Sequence, residues 1–132
     1  MSDYRVNSYS LGKKGEELAA DYIKSRGYFV SAKNYRSAHG EIDIIAENEK
    51  FVVFIEVKLR DEKSSYMPRE AVTSHKKGRL VYTAKNYIFK SRTRLIPRFD
   101  IIEVIIPENG NILKAEINHI ENALEVNSHE FY

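Results

Sequence analysis

Two neighbouring stretches between residues 40 and 60 alternate apolar and polar positions, as β-strands do. In the first stretch Ile42, Ile44 and Ala46 fall on one face, whereas Glu41 and Asp43 fall on the other. The second stretch opposes an apolar row to a mostly charged row: Val53, Ile55, Val57 and Leu59 against Phe54, Glu56, Lys58 and Arg60. The pattern predicts a β-hairpin with its turn near residues 48–50.

The alternation also restricts how the two strands pair. A register that puts both apolar rows on one side of the sheet is favoured, because a slip by one residue would mix acids with isoleucines. One such register sets Ala46 opposite Val53, and it places Asp43 directly across from Glu56, within about 5 Å. Lys58 then shares their face.

Two carboxylates this close favour a cation between them. Mg²⁺ takes oxygen ligands, so Asp43 and Glu56 are the predicted metal ligands. Lys58 would lie beside a metal-bound water, where an ammonium orients or helps deprotonate the nucleophile and offsets charge that builds on a phosphorane. The pattern therefore predicts metal-assisted phosphodiester hydrolysis. The alternative is a solvated sheet face with ordinary exposed charges, but the apolar reverse side of the hairpin favours the functional interpretation.

Helical periodicity places two helices around the hairpin. The first is predicted over residues 11–26, with Ser10 as its N-cap and Gly27 just beyond its end. The second starts at Thr73 or Ser74 and runs to about Lys90. Their inward positions are Leu18, Ala19, Tyr22 and Ile23 in the first helix, and Leu80, Val81, Ala84, Tyr87 and Ile88 in the second.

Further strands are predicted over residues 28–35, 98–106 and 112–120, the last of them on a sheet edge. The order α-β-β-β-α-β-β predicts a mixed sheet with helices packed against it, an α/β or α+β fold. The chain of 132 residues fits a single domain, with residues 1–9 and 122–132 as frayed tails. Arg98 and Asp100 are predicted to form a structural ion pair that supports the hairpin.

The composition of the chain bears on its cellular compartment, and the distribution of charge bears on the kind of molecule that it binds. The chain has no cysteine, which excludes disulfides and zinc-thiolate sites, and no apolar segment resembles a signal peptide or membrane span. A cytoplasmic protein without membrane contact is expected. Lys and Arg outnumber Asp and Glu by 12 to 3 in residues 58–98, against 8 to 9 before and 1 to 7 after.

This basic block begins at the catalytic strand, so a polyanion bound there would pass the carboxylates. Arg36 is also close enough in sequence to reach a phosphate at the site. A polar, serine-rich loop over residues 61–68 is expected at its mouth. The alternative for the block is a solvated helix face whose charges favour solubility.

The hairpin segments GEIDII and FIEVKLR resemble the PD-(D/E)xK nuclease superfamily. With LGKKGEELAADYIKSRGY, NYR, AVTSHKKGRL and RFDII, the chain resembles the YraN family of endonucleases, related to archaeal Holliday junction resolvases. Ser74 stands where relatives commonly have Pro. The resemblance implies a restriction-endonuclease-like core and a Mg²⁺- or Mn²⁺-dependent activity on DNA, such as branched recombination or repair intermediates.

The resemblance also implies roles for residues outside the hairpin. Glu16 occupies a position at which related families carry a metal-site Glu, and a helical wheel places it at the rim of the buried stripe. Its alternative role is a first-turn acid that complements the helix dipole. Lys76 matches a recurring basic position and is predicted to contact phosphate at the edge of the site. Apart from the resemblance, the positive charges of Lys77, Arg79 and Arg60 are predicted to add general attraction for nucleic acid.

Two other functions remain compatible with the sequence. One is a DNA-binding module with the same architecture and no chemistry, and the other is a structural adaptor that binds a protein. Symmetric cleavage of a four-way junction would require a homodimer, although no stretch of the sequence indicates an interface.

Overall fold

The structure, a computed structural model, describes residues 4–63 and 74–126, with side chains for residues 10–63 and 75–126. Two α-helices and five β-strands lie within these ranges, in the predicted order. Their bounds are α1 Tyr4–Ser25, β1 Phe29–Arg36, β2 Glu41–Glu47, β3 Phe51–Asp61, α2 Ser74–Ser91, β4 Ile96–Ile106 and β5 Glu116–Ile120. A 3₁₀ turn, Ile112–Lys114, precedes β5.

The strands form one mixed sheet in the order β1-β2-β3-β4-β5. β3 and β4 run parallel from the pair Phe51 and Ile96 to the pair Asp61 and Ile106, and α2 forms the crossover that a parallel connection needs. The other neighbouring strands are antiparallel. The α+β class is thereby confirmed, and β5 lies on an edge as predicted.

The hairpin of β2 and β3 has the register expected from its alternation, with Ala46 opposite Val53. Asn48 closes its turn, since its N–H donates to the Phe51 carbonyl at 3.0 Å. The Asn48 side-chain oxygen accepts from the Lys50 and Phe51 N–H groups at 2.9 and 2.7 Å. The predicted turn at residues 48–50 is confirmed.

The two helices cover opposite faces of the sheet. On one face α1 buries Ala19, Ala20 and Ile23 against a strand cluster that includes Val53 and Ile55. On the other face α2 packs against the alternate residues of the same strand, Val52 and Phe54, through a buried row: Val81, Ala84 and Ile88. The charged side of the hairpin is therefore not a solvated face, because α2 covers part of it.

Helix α1 begins at Tyr4 rather than Leu11, so the prediction of Ser10 as N-cap is wrong. Nothing between residues 4 and 10 stops a helix, since this segment contains neither Gly nor Pro. The C-terminal end agrees with prediction: Gly27 has a φ of 92°, and its N–H donates to the Lys24 carbonyl at 3.0 Å.

The C-terminal part differs from expectation in two ways. Residues Ile112–Lys114 form the 3₁₀ turn, so β5 begins only at Glu116. Within residues 122–126, which were expected to belong to a tail, the Ala123 N–H donates to the Phe99 carbonyl at 2.8 Å, and Leu124 and Val126 pack against the α2-side core. Of the predicted loop over residues 61–68, residues 64–68 lie outside the described residues.

Candidate functional site

The alternation of side chains along β2 is interrupted at Asp43, and the candidate site lies at this position. Ile42 packs in the α2-side cluster, whereas Ile44 packs in the α1-side cluster, so the prediction of a common face for these two residues is wrong. On β1, the partner of Asp43 is Asn34, which lies between the pairs Lys33–Ile44 and Tyr35–Ile42 and has a φ of 51°. Asp43 thus lies where side chains from both faces can approach.

The Asp43 carboxylate is crowded by other acids. The last residues of β2 and β3 that pair through the backbone at this end are Ile44 and Ile55. Just beyond them, Asp43 Oδ2 accepts a hydrogen bond from the Val57 N–H at 2.8 Å. Burial raises the pKa of Asp43 to about 6. The Val57 N–H opposes that rise, whereas three negative charges add to it: Glu16, Glu56 and Glu41. The predicted carboxylates are therefore electrostatically coupled.

Two lysines hold one oxygen of Glu56. Lys76 Nζ lies 2.5 Å and Lys58 Nζ 3.1 Å from Glu56 Oε1. The Glu56 side chain is only 18% exposed, and its Oε2 is buried without a hydrogen-bond partner among the described residues. Burial opposes the charged form of Lys58, but the carboxylates of Glu56 and Asp43 offset this and raise the Lys58 pKa. Lys58 therefore brings a positive charge into the site.

Asn34 bridges Glu16 on α1 and Glu41 on β2. With its amide nitrogen facing the carboxylates, it donates to Glu16 Oε1 and to Glu41 Oε1, each at 3.0 Å. Glu16 lies well inside α1, which leaves no first-turn role for it. On the outer side Arg36 Nε lies 3.2 Å from Glu41 Oε2, and the Arg36 side chain is 77% exposed.

Not every predicted site residue joins this cluster. Arg60 Nε donates to Glu103 Oε2 at 2.7 Å, and Glu103 is 1% exposed, so this guanidinium holds a buried carboxylate in place. Arg79 is exposed and Lys77 is partly exposed on α2. Their contact with nucleic acid stays a prediction.

Sequence reasoning missed Asn34 and Glu41 as members of the site. The alternation put Glu41 in the same row as Asp43, and NYR was among the matching segments, so signals for both were present. The hydrophobic periodicity does not predict the left-handed conformation of Asn34, which directs its amide toward two carboxylates.

The donor set fits a hard divalent cation. Among the described residues no group of three or more His, Cys, Asp or Glu side chains is spaced to hold a metal. Mg²⁺ is nevertheless commonly bound by one or two carboxylates with water completing its shell. Glu41, Asp43 and Glu56 line one cavity of about 40 Å³, and Glu56 Oε2, which has no hydrogen-bond partner among the described residues, could act as an oxygen ligand.

A second polar cluster lies on the α1 side of the sheet. Arg98 binds Asp100 through two hydrogen bonds, at 2.8 and 2.7 Å, which confirms the predicted ion pair. His119 Nε2 lies 2.7 Å from Asp100 Oδ2, and Tyr22 Oη lies 3.2 Å from His119 Nδ1. Burial alone would raise the pKa of Asp100, but hydrogen bonds from His119 and Arg98 lower it. This cluster fastens β4 to β5 and α1.

Neither described helix is both long and apolar enough to cross a membrane. Residues 15–104 match the model of a family described as "Uncharacterised protein family UPF0102". A UPF0102 protein of Caldanaerobacter subterraneus subsp. tengcongensis is 42% identical over 121 residues, which cover 90% of this chain and 98% of that protein. A UPF0102 protein of Clostridium botulinum strain Loch Maree is 42% identical over 118 residues, 88% of this chain and 94% of its own length.

Proposed function

The chain belongs to the UPF0102 family, and from this premise and the carboxylate geometry we propose that it is a metal-dependent endonuclease acting on DNA. The observation that carries the proposal is the proximity of three carboxylates, those of Glu16, Glu41 and Glu56, to Asp43, with the partly buried Lys58 ammonium 3.1 Å from Glu56. Burying several like charges is unfavourable unless a cation neutralises them. The resemblance to PD-(D/E)xK nucleases supports the same reaction class.

Asp43 and Glu56 would hold the cation, with Glu16 as an outer carboxylate. When bound, a divalent cation acts as a Lewis acid and lowers the pKa of a coordinated water. The Lys58 ammonium, 3.1 Å from Glu56 Oε1, would orient the attacking water and stabilise the negative charge that develops on the phosphoryl oxygens. Lys76 keeps the Glu56 carboxylate in place from α2 and contributes a positive charge where a phosphate would enter.

Cleavage of labelled DNA tests the proposal directly. Wild-type protein with Mn²⁺ or Mg²⁺ should cut at least one substrate in a panel of duplex, single-stranded, flap and four-way-junction DNA. Asp43→Asn and Lys58→Met should each lower the rate by at least about a hundredfold, the usual cost of losing one transition-state contact. Circular dichroism and thermal melts should show folded variants.

Asp21→Asn and Lys33→Met are matched controls, since both side chains are exposed on other parts of α1 and β1. They should cleave at the wild-type rate. Equal activity of Asp43→Asn and wild-type protein would mean that the cleavage comes from another site or a contaminant.

One observation favours a second candidate, a DNA-binding module without chemistry. Lys58 and Lys76 already neutralise one oxygen of Glu56, so the site has a partial substitute for a metal. A metal titration separates the two candidates. The endonuclease should melt at a higher temperature with Mg²⁺ or Mn²⁺, and Asp43→Asn should abolish this shift. The binding module should show neither a shift nor turnover.

A further inference from the structure

The outward face of α2 carries a row of ring side chains. His75, Tyr82 and Phe89 follow one another at intervals of seven residues, which is close to two helical turns, so all three share one side of the helix. His75 is exposed, Tyr82 is 45% exposed and Phe89 is 85% exposed. The helix supplies its core residues from another side, so packing does not account for these rings.

The charged residues of α2 all have the same sign. Helix α2 contains five Lys and Arg residues and no Asp or Glu. Arg79 and Lys85, both exposed, lie one turn before and one turn after Tyr82. Rings that stack on bases and cations that attract phosphates are the two components by which proteins bind single-stranded nucleic acid.

The row also leads to the candidate site. Lys76, at the N-terminal end of α2, reaches Glu56 Oε1. Midway along the helix, the Tyr82 ring makes an edge-to-face contact with His39, with ring centres 4.5 Å apart. His39 stands two residues before Glu41, so this pair of rings borders the strand that carries the carboxylates.

The loop that carries His39 is held firmly on the helix. Ser37 Oγ lies 2.8 Å from Thr83 Oγ1, and the Ser37 N–H donates to the Gly40 carbonyl at 2.9 Å. A Cβ at Gly40 would lie 3.1 Å from Thr83 Oγ1, so the loop approaches α2 too closely for a larger residue without adjustment. The His39 and Tyr82 rings are therefore preorganised, which reduces the entropy cost of binding.

We propose that the outward face of α2, together with His39, binds the unpaired bases of single-stranded DNA and guides that strand to the carboxylate site. The inference rests on the proposed function for the identity of the ligand as nucleic acid. It adds that the substrate has an unpaired segment. Tyr82 and Phe89 lie about 10 Å apart along the helix, so they would take different bases of one strand.

A second copy of the chain fits this face poorly. A two-fold interface sets a patch against itself, so the exposed cations of one helix, among them Arg79 and Lys85, would meet those of the other. Like charges facing one another across an interface oppose association. A polyanion meets no such repulsion.

The test compares two oligonucleotides in EDTA, where no cleavage occurs: an oligothymidylate and an abasic strand of equal length. Fluorescence anisotropy gives the dissociation constants. Tyr82→Ala and Phe89→Ala should each weaken binding of the oligothymidylate by about fivefold or more, as loss of base stacking does. Binding of the abasic strand should stay the same, and Tyr82→Phe should restore wild-type binding of oligothymidylate.

Phe29→Ala is the matched control, because Phe29 is 70% exposed but lies on β1. Equal losses on both oligonucleotides, wild-type binding by the alanine variants, or the same loss in Phe29→Ala would overturn the inference. So would a wild-type dimer in sedimentation that Phe89→Ala dissociates, since the face would then be a protein interface. Stacking-dependent binding by a protein that cleaves nothing with Mn²⁺ would overturn the proposed nuclease and leave this inference intact.

Discussion

At Asp43, the features that suit the residue to hold a cation also destabilise the folded protein. Burial and neighbouring acids raise its pKa to about 6, above the usual 3.8. A raised carboxyl pKa favours the folded state while the group is protonated in it, and this contribution is lost as the pH rises from about 4 through 6. At neutral pH the charged Asp43 therefore costs stability.

Replacing the charge should recover that stability. Asp43→Asn should raise the free energy of unfolding at pH 8 by on the order of 2 kcal/mol relative to wild-type protein, because the amide oxygen still accepts from Val57 without burying a charge. Urea unfolding without divalent metal measures this. The difference should shrink as the pH approaches 4, and a pH-independent difference would contradict the assigned cause.

Two glycines of α1, Gly12 and Gly15, differ in how closely they approach the sheet. A Cβ at Gly15 would lie 2.5 Å from Leu59 Cδ1 on β3, whereas a Cβ at Gly12 would meet nothing within 4 Å. Gly12→Ala should stabilise the protein by up to about 1 kcal/mol through helix propensity. Gly15→Ala should instead destabilise it by about 1–3 kcal/mol, because Leu59 must move.

Chemical denaturation of the two glycine variants gives these values, and Leu59→Ala supplies the control. In a Leu59→Ala background the Gly15→Ala change should become neutral or stabilising, since the overlapping atoms are gone. Destabilisation that persists in that background would show that the close approach to Leu59 is not its cause.

The elements were predictable to the extent that periodicity determines them. The alternation in the hairpin favoured the registers that put both apolar rows on one side of the sheet, and the pairing of Ala46 with Val53 is one of these. It did not give the change of face between Ile42 and Ile44, since that depends on the positive φ of Asn34 and on two helices packing from opposite sides. Asp43 and Glu56 were identifiable from sequence, but the bridging role of Asn34 required the folded backbone.

In the whole molecule, two groups of charged residues have opposite consequences. At the β2–β3 hairpin, where α1 contributes Glu16, the acids around Asp43 repel one another and raise its pKa. On the α1 side, Asp100 is fully paired with Arg98 and His119, which lower its pKa despite burial. The first arrangement leaves an excess of negative charge for a ligand to neutralise, and the second stabilises the fold without one.

The ion pairs of Asp100 with Arg98 and His119 should contribute strongly to the stability of the fold. Asp100→Asn should lower the free energy of unfolding at pH 7 by about 3–5 kcal/mol, because Arg98 and His119 would keep buried polar groups without their carboxylate. The surface pair of Lys63 and Glu108 is the control, and Glu108→Gln should change the free energy of unfolding by less than about 1 kcal/mol.

The pH dependence separates this role from simple loss of packing. Because the Asp100 pKa is lowered on folding, its stabilising effect is present above about pH 4 and is lost as the pH falls through the lower folded value. The deficit of Asp100→Asn in urea unfolding should therefore narrow on acidification below pH 4, whereas a packing defect would persist at every pH. Since Asp43 contributes in the reverse sense, the double variant should lose stability at pH 7 and lack both pH-dependent changes. Retention of either change in the double variant would assign it to another group.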